Sequence, residues 1–452
     1  MKPLHVFVGP SLAKSDLSAT LTEVHWHPPI QHGDLFRLAP GPGDRILIID
    51  GVYQHRAPIR HKEIIGAIRA GADMSGAASM GALRAAELGE FGMRGLGTVH
   101  EWYASGRLES DADVAVAHSF EDSRFHPVSV ALVSLIHSTD WLCAQGELTL
   151  TQADSLLRLA DELHFAERTE QALRRVAAER GIADEMDRVL RAVAADDPGD
   201  VKARDAEAAV RALLADDTAG AHRPTRRVDT VATSSYECQW RLDYSPGDSA
   251  GTATLGELLT FARLFLHDYP ERHRRYVLDT IRQTAAGADE DHSEAGPCAL
   301  AVAVGLWPAR LSERAELLTR FCSDRERVTA SEPELAGLLL VRSFRLRPGN
   351  LVYQDFPHRL FEDSERDRLA ADCEKALRLD RLAHQRVAQY SAAQIVGSAV
   401  DAVFLRLWGV EDIEPAVLDR GFRDVQEFRR RARPFMVAAR AMAAAHRTAE
   451  QS

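Results

Sequence analysis

The residues best suited to chemistry lie in the stretch Gly76-Ala77-Ala78-Ser79-Met80-Gly81-Ala82-Leu83-Arg84. One hydroxyl stands at a bend among small side chains, so a ligand can come close to the backbone there. A helix that opens near Ser79 turns its unpaired N–H groups back over the bend, which suits an anion, a phosphate or the oxyanion of an acyl transfer. Ala77-Ala78-Ser79-Met80-Gly81 is a relaxed form of the small-x-Ser-x-Gly elbow, in which a strand turns into a helix and exposes a nucleophile. The blander reading is a helix-capping serine beside alanines packed against a sheet. Arg84 is close enough to the helix start to reach an anion, or pairs with Glu87 three residues on. His61 and Lys62 open the preceding helix. A neutral imidazole, or an amine stripped of water, serves there as a general base; the blander reading of both is a solvated helix start. Asp50 closes the strand before them and is the candidate group to orient that base, or else a plain turn carboxylate.

Other polar clusters carry weaker signals. Asp111, Asp113 and His118 are spaced poorly for a metal and read as a solvated loop. His25-Trp26-His27 puts two imidazoles on one strand face without a third ligand. No metal or cofactor is expected. Arg429-Arg430-Arg431-Ala432-Arg433 is the densest basic run and reads as a solvated face, while Trp240 and Trp408 read as core anchors.

These residues need elements to hold them. Leu4 to Val8, Arg45 to Asp50 and Ala72 to Ser75 are short apolar runs stopped by turn residues, and read as buried strands. Helical patterns lie between them, over 11–21, from Pro58 to Ala70 and from Ser79 to Leu88. Strand and helix alternating with short connections predicts a parallel sheet with crossover helices. The strand ends then bring Gly9-Pro10-Ser11, Asp50-Gly51 and Gly76 to Ser79 to one edge, where open α/β sheets bind ligands. Residues 25–35 read as a loop or broken edge strand, and 91–97 as a glycine-rich loop. From Val130 the chain reads as successive helices to about 214. Residues 216–253 read as a linker with one strand around Cys238 to Leu242. An acidic loop is expected over 286–291, and helices run to the end. The expected organisation is an α/β core over 1–125 with a short parallel sheet, a helical extension over 126–215, a linker over 216–253 and a helical C-terminal domain over 254–452.

Bulk properties narrow the class. A chain of 452 residues with 45% apolar residues can build more than one core. The formal charge of −12 argues against a general nucleic-acid coat. Five scattered cysteines form no metal or dithiol spacing and suit a reducing cytoplasm. No signal peptide and no membrane-spanning run is read.

The order of several segments resembles the TfuA-like core family. They are Val8-Gly9-Pro10-Ser11, Gly33-Asp34-Leu35-Phe36-Arg37, Ile48-Ile49-Asp50-Gly51-Val52-Tyr53, His61-Lys62-Glu63-Ile64, the stretch from Gly76 to Leu88, Phe91 to Gly97, and Asp111 to His118. Two positions depart from the family pattern: Ala78, where serine is frequent, and Ala112, where the family has an acidic residue. The resemblance implies a partner of YcaO enzymes, which use ATP to turn a peptide amide into a thioamide. It implies hydrolysis of the C-terminal thiocarboxylate of a ThiS-like sulfur-carrier protein to supply sulfide, with the precursor peptide and further copies of the chain as additional partners. In that reading Ser79 is nucleophile or oxyanion donor, His61 or Lys62 is the base and Asp50 orients. The carrier's tail lies over Gly9, Pro10, Ser11, Gly51, Gly76, Met80, Gly81 and Arg84. The alternative is a non-catalytic protein that binds and activates the YcaO enzyme or presents a peptide.

Overall fold

The computed structural model describes residues 2–12, 21–54, 56–121, 124–215, 226–247, 252–285, 296–306, 311–344, 360–387 and 389–450. The chain divides into two compact units, Met1–Thr233 and Ser234–Ser452. Of the helix expected over 11–21, residues 13–20 lie outside the described residues, and Pro10–Leu12 forms one 3-10 turn. The acidic loop over 286–291 also lies outside them.

In the first unit β1 (Leu4–Phe7), β2 (Val24–His27), β3 (Arg45–Ile48), β4 (Asp73–Ala77) and β5 (Arg94–Leu96) form a parallel sheet in the order β2-β1-β3-β4-β5. Phe7 stands opposite Ile48, and Ile48 opposite Gly76, so the central strands end level. The intervening helices are α1 (Asp34–Leu38), α2 (His61–Arg69), α3 (Met80–Leu88) and α4 (Thr98–Ala104). A hairpin of β6 (His118–Glu121) and β7 (Arg124–Pro127) follows. Then come α5 (Leu132–Ala144), α6 (Leu150–Asp161), α7 (Glu170–Glu179), α8 (Ala183–Ala194) and α9 (Val201–Ala215).

All four residues of β3 are buried, as a strand covered on both faces requires. On one face Phe7, Ile46, Ile48 and Met74 pack against Ile64 and Ile65 of α2 and Ala85 and Leu88 of α3. On the other, Leu4, Val6, Leu47, Ile49 and Ala77 pack against Ala206, Ala209, Val210 and Leu213 of α9. Buried polar groups tie α9 down. The Arg45 guanidinium donates to Leu213 O at 2.9 Å, and Lys202 Nζ to Val114 O at 2.7 Å. Asp205 accepts the Val99 N–H at 2.8 Å, at the otherwise unpaired start of α4. Helices α5 to α8 form a separate cluster around Leu135, Leu142, Leu156, Leu173 and Val189.

Two expectations change in this unit. The glycine-rich segment 91–97 contributes β5, and the Pro-terminated segment from Val24 is a regular edge strand. The second unit is helical among its described residues. The strand expected around Cys238 to Leu242 is instead a helix, Ser235–Tyr244, because the Ser234 hydroxyl accepts the Glu237 N–H at 3.2 Å and caps its start. The basic run near 430 is largely used internally: Arg429 pairs with Asp401, Arg431 with Glu427, and Arg433 donates to Ile395 O. Trp408 is a core anchor whose indole donates to Leu264 O at 2.9 Å. Arg342, 3% exposed, bridges Glu326 and Asp419 and donates to Phe321 O at 2.7 Å.

Candidate active site

The bend after β4 is a γ-turn: the Ser79 N–H donates to Ala77 O at 2.7 Å across Ala78, whose φ is +66°. A left-handed conformation at alanine costs about 1–2 kcal/mol, so the surrounding structure enforces this reversal. Two glycine contacts show how. A Cβ at Gly76 would lie 2.0 Å from Gly81 O, and a Cβ at Gly81 would lie 1.8 Å from Ile48 O. Helix α3 is therefore seated directly on β3 and β4, and Gly81 N–H donates to Ile49 O at 3.1 Å. Gly76 and Gly81 serve this close approach and are buried. Gly51 serves the next one, since its Cβ would lie 2.9 Å from Met80 Cγ.

Ser79 occupies the N-cap position of α3, yet its side chain makes no capping bond. It is 6% exposed, and its hydroxyl has no hydrogen-bond partner among the described residues. The Met80 N–H is likewise unpaired among them. A hydroxyl and a backbone donor thus stand adjacent at the elbow with bonding capacity unused.

The other expected residues separate into three groups. Asp50, 3% exposed, accepts from Gly9 N and Ser11 N, each at 2.9 Å, and from the Ser11 hydroxyl at 2.7 Å. Its carboxylate holds the exit of β1, with Pro10 in the same loop, and these contacts rather than His61 take up its lone pairs. His61 Nε2 lies 2.8 Å from Glu87 Oε2 and 3.4 Å from the Arg84 guanidinium, and Arg84 donates to the same Glu87 oxygen. Burial pushes the Glu87 carboxyl up, but hydrogen bonds from His61 and Arg84 outweigh it and hold the group below the usual carboxylate range. Arg84 Nε is buried without a partner. Lys62 Nζ donates to Ala232 O at 2.6 Å, near the end of the first unit.

Three features escape a reading of the sequence. Glu63, at the third position of α2, is buried and accepts from the His32 ring at 2.5 Å and Gly33 N at 2.8 Å. Burial pushes its carboxyl above the ordinary range. The Tyr53 hydroxyl donates to Asp111 Oδ1 at 3.0 Å, so Asp111 belongs to a fixed loop beside the sheet edge. His25 and His27 meet a third imidazole, His5, whose Nδ1 lies 2.9 Å from His27 Nε2 and whose ring centroid is 4.9 Å from that of His25. Among the described residues no group of three or more His, Cys, Asp or Glu is arranged to hold a metal ion. The one signal the sequence offers is a glutamate three residues after Arg60 at the start of the helical pattern, a capping-box spacing.

A family model described as TfuA-like protein matches residues 50–169, which span β4, the elbow, α3 and the Asp111 loop. The chain carries a TfuA-like domain. That family is associated with YcaO-dependent thioamidation, and a YcaO partnership in general goes with it. No curated protein matches the chain. In the TfuA-like domain Ser79, Met80, His61, Arg84 and Glu87 all lie inside the matched segment, whereas Gly9, Pro10 and Ser11 come from outside it. No described helix is long and apolar enough to cross a membrane.

Proposed function

We propose that the TfuA-like domain hydrolyses the C-terminal thiocarboxylate of a sulfur-carrier protein and so supplies sulfide to a YcaO enzyme. The observation that carries this reading is Ser79: an N-cap serine that does not cap, set at an enforced turn with its hydroxyl free. Ser79 Oγ attacks the thiocarboxylate carbon and gives its proton to a base. The Met80 N–H stabilises the oxyanion that develops. The base returns that proton to the sulfur as the C–S bond breaks, so the sulfur leaves as hydrosulfide, and water then hydrolyses the seryl ester to return carrier carboxylate and free Ser79. His61 is the base, oriented by Glu87, a pairing that favours the imidazolium formed when His61 accepts the proton. Arg84, on the same helix, favours the anionic substrate. Lys62 is engaged elsewhere and takes no part, and Asp50 keeps the β1 exit loop in place under the carrier tail.

The test uses the full-length chain, a thiocarboxylated sulfur-carrier protein and a sulfide-sensitive dye. Ser79→Ala lowers the rate of sulfide release by about 100-fold or more, since a nucleophile is lost. His61→Gln lowers it by about 100-fold, a general-base effect. Both variants still bind the YcaO enzyme. If Ser79→Ala releases sulfide at the wild-type rate and supports full thioamidation, the protein is a non-catalytic binding or peptide-presenting partner and the hydrolytic reading is wrong.

A further inference from the structure

Tyr53 leaves the end of β3 two residues after Gly51, and Gly51 sits against Met80 at the elbow. An extended chain advances about 3.3–3.6 Å per residue, so the Tyr53 backbone lies within about 7 Å of Gly51. The ring is half-buried against the cluster that contains Met80, Leu83, Tyr103 and Val114, and makes an edge contact with Phe165, centroids 5.4 Å apart. Its hydroxyl proton is committed to Asp111. Asp111 is itself fixed: it opens a 3-10 turn capped by Ser110, and the buried Arg168 donates to Ala112 O at 3.1 Å. The remaining acceptor capacity, the Tyr53 oxygen lone pairs and Asp111 Oδ2, has no partner among the described residues. A tyrosine whose proton is held by a carboxylate can only accept from a ligand.

Resting on the hydrolytic reading above, the geometry points to Tyr53, positioned by Asp111, as the residue that selects a peptide-linked thiocarboxylate by accepting a backbone N–H of the substrate tail. A small thioacid without an amide makes no such bond. The pair is therefore a specificity determinant, not part of the bond-breaking step. Burial and the neighbouring Asp111 carboxylate both hold the phenol protonated, above its ordinary range.

The experiment compares kcat/KM for sulfide release from benzoylglycine thioacid, which has an amide N–H, with that from thiobenzoate, which has none. In Tyr53→Phe the ratio of the two falls about 3- to 10-fold, the range of one net hydrogen bond, and the change appears in KM for the amide substrate. Asp111→Ala, which releases the phenol, lowers the ratio similarly. A merely structural role for the pair would lower both constants together and leave the ratio unchanged, and that result overturns the inference while leaving Ser79 chemistry intact. Failure of the wild-type protein to release sulfide from either thioacid or from the carrier overturns the hydrolytic reading and this inference with it.

Discussion

Replacing Gly81 with alanine tests whether α3 is seated on the sheet as described. The added methyl would fall 1.8 Å from Ile48 O and 2.5 Å from Ile48 C, both backbone atoms that cannot swing aside. Real Cβ contacts stay beyond 3.0 Å, so the helix start must retreat by more than an ångström. Overpacking of this kind costs about 1–3 kcal/mol, and the retreat breaks the Gly81 N–H bond to Ile49 O, worth about 1 kcal/mol more. The sum is about 2–4 kcal/mol. For a unit of this size, 1 kcal/mol corresponds to about 2–4 °C, so the first unit's transition falls by about 5–15 °C in calorimetry of the full chain. Gly89 is the control. It has helical backbone angles, φ −56° and ψ −39°, and open space around its Cβ position. Gly89→Ala is therefore neutral or stabilising, by up to about 1 kcal/mol. On the proposed hydrolytic reading, sulfide release measured well below the melting point also falls in Gly81→Ala, because Ser79 and Met80 ride on the displaced helix start. A Gly81→Ala protein that melts within about 2 °C of wild type would refute the close seating of α3, and with it the enforced turn at Ala78.

Two further outcomes follow from the charged groups. Burial, and then neighbouring imidazoles, lower the pKa of His5 and His27 below the ordinary 6.5, while Asp44 acts in the opposite direction on His5 and Asp34 on His27. A lowered histidine pKa favours the neutral ring in the fold, so this contribution is fully present above pH 6.5 and lost as pH falls through the lowered values. Urea midpoints of the first unit drop between pH 7.5 and 5, and the double variant His5→Gln/His27→Gln shows a shallower drop; equal slopes would refute the assignment. In the second unit, Arg342→Met strands Glu326 and Asp419 and costs about 3–5 kcal/mol, read as faster amide exchange across residues 332–343. Although burial opposes it, bonding to Arg342 and Ser323 holds the Glu326 carboxyl down at about 2. Its contribution is therefore present above pH 4.5 and lost as acid approaches pH 2, a loss absent from the variant.

Much of the site's framework was legible in the sequence, for physical reasons that differ by element. Ile46 to Ile49 and Met74 to Ala77 are continuous small or apolar runs, as strands covered on both faces must be, and the glycines at 76 and 81 bracket Ser79. β5 was not legible, because Arg94-Gly95-Leu96 is too short and too glycine-rich to show alternation. Cys238 to Leu242 was misread because aromatic and β-compatible residues outweighed the Ser234 cap. Partner choice was the least legible. Asp50 lies 11 residues from His61 in sequence but binds a loop about 40 residues away, and Lys62 reaches Ala232, 170 residues on. Tyr53 and Asp111, 58 residues apart, meet only because β3 and the 3-10 turn converge. Such pairings are settled by tertiary contacts that local periodicity does not encode.

The arrangement of β1, β3 and α9 bears on how the family-matched part of this chain can be handled. The segment matched by the family model starts at residue 50 and stops at 169. Cut out at those limits, it would keep β4 and β5 but lose the three strands beside them and the helix that shields Leu47, Ile49 and Ala77. The recognisable stretch is thus one portion of a larger folding body, and the serine elbow is braced by Ile48 on one flank and by α9 on the other.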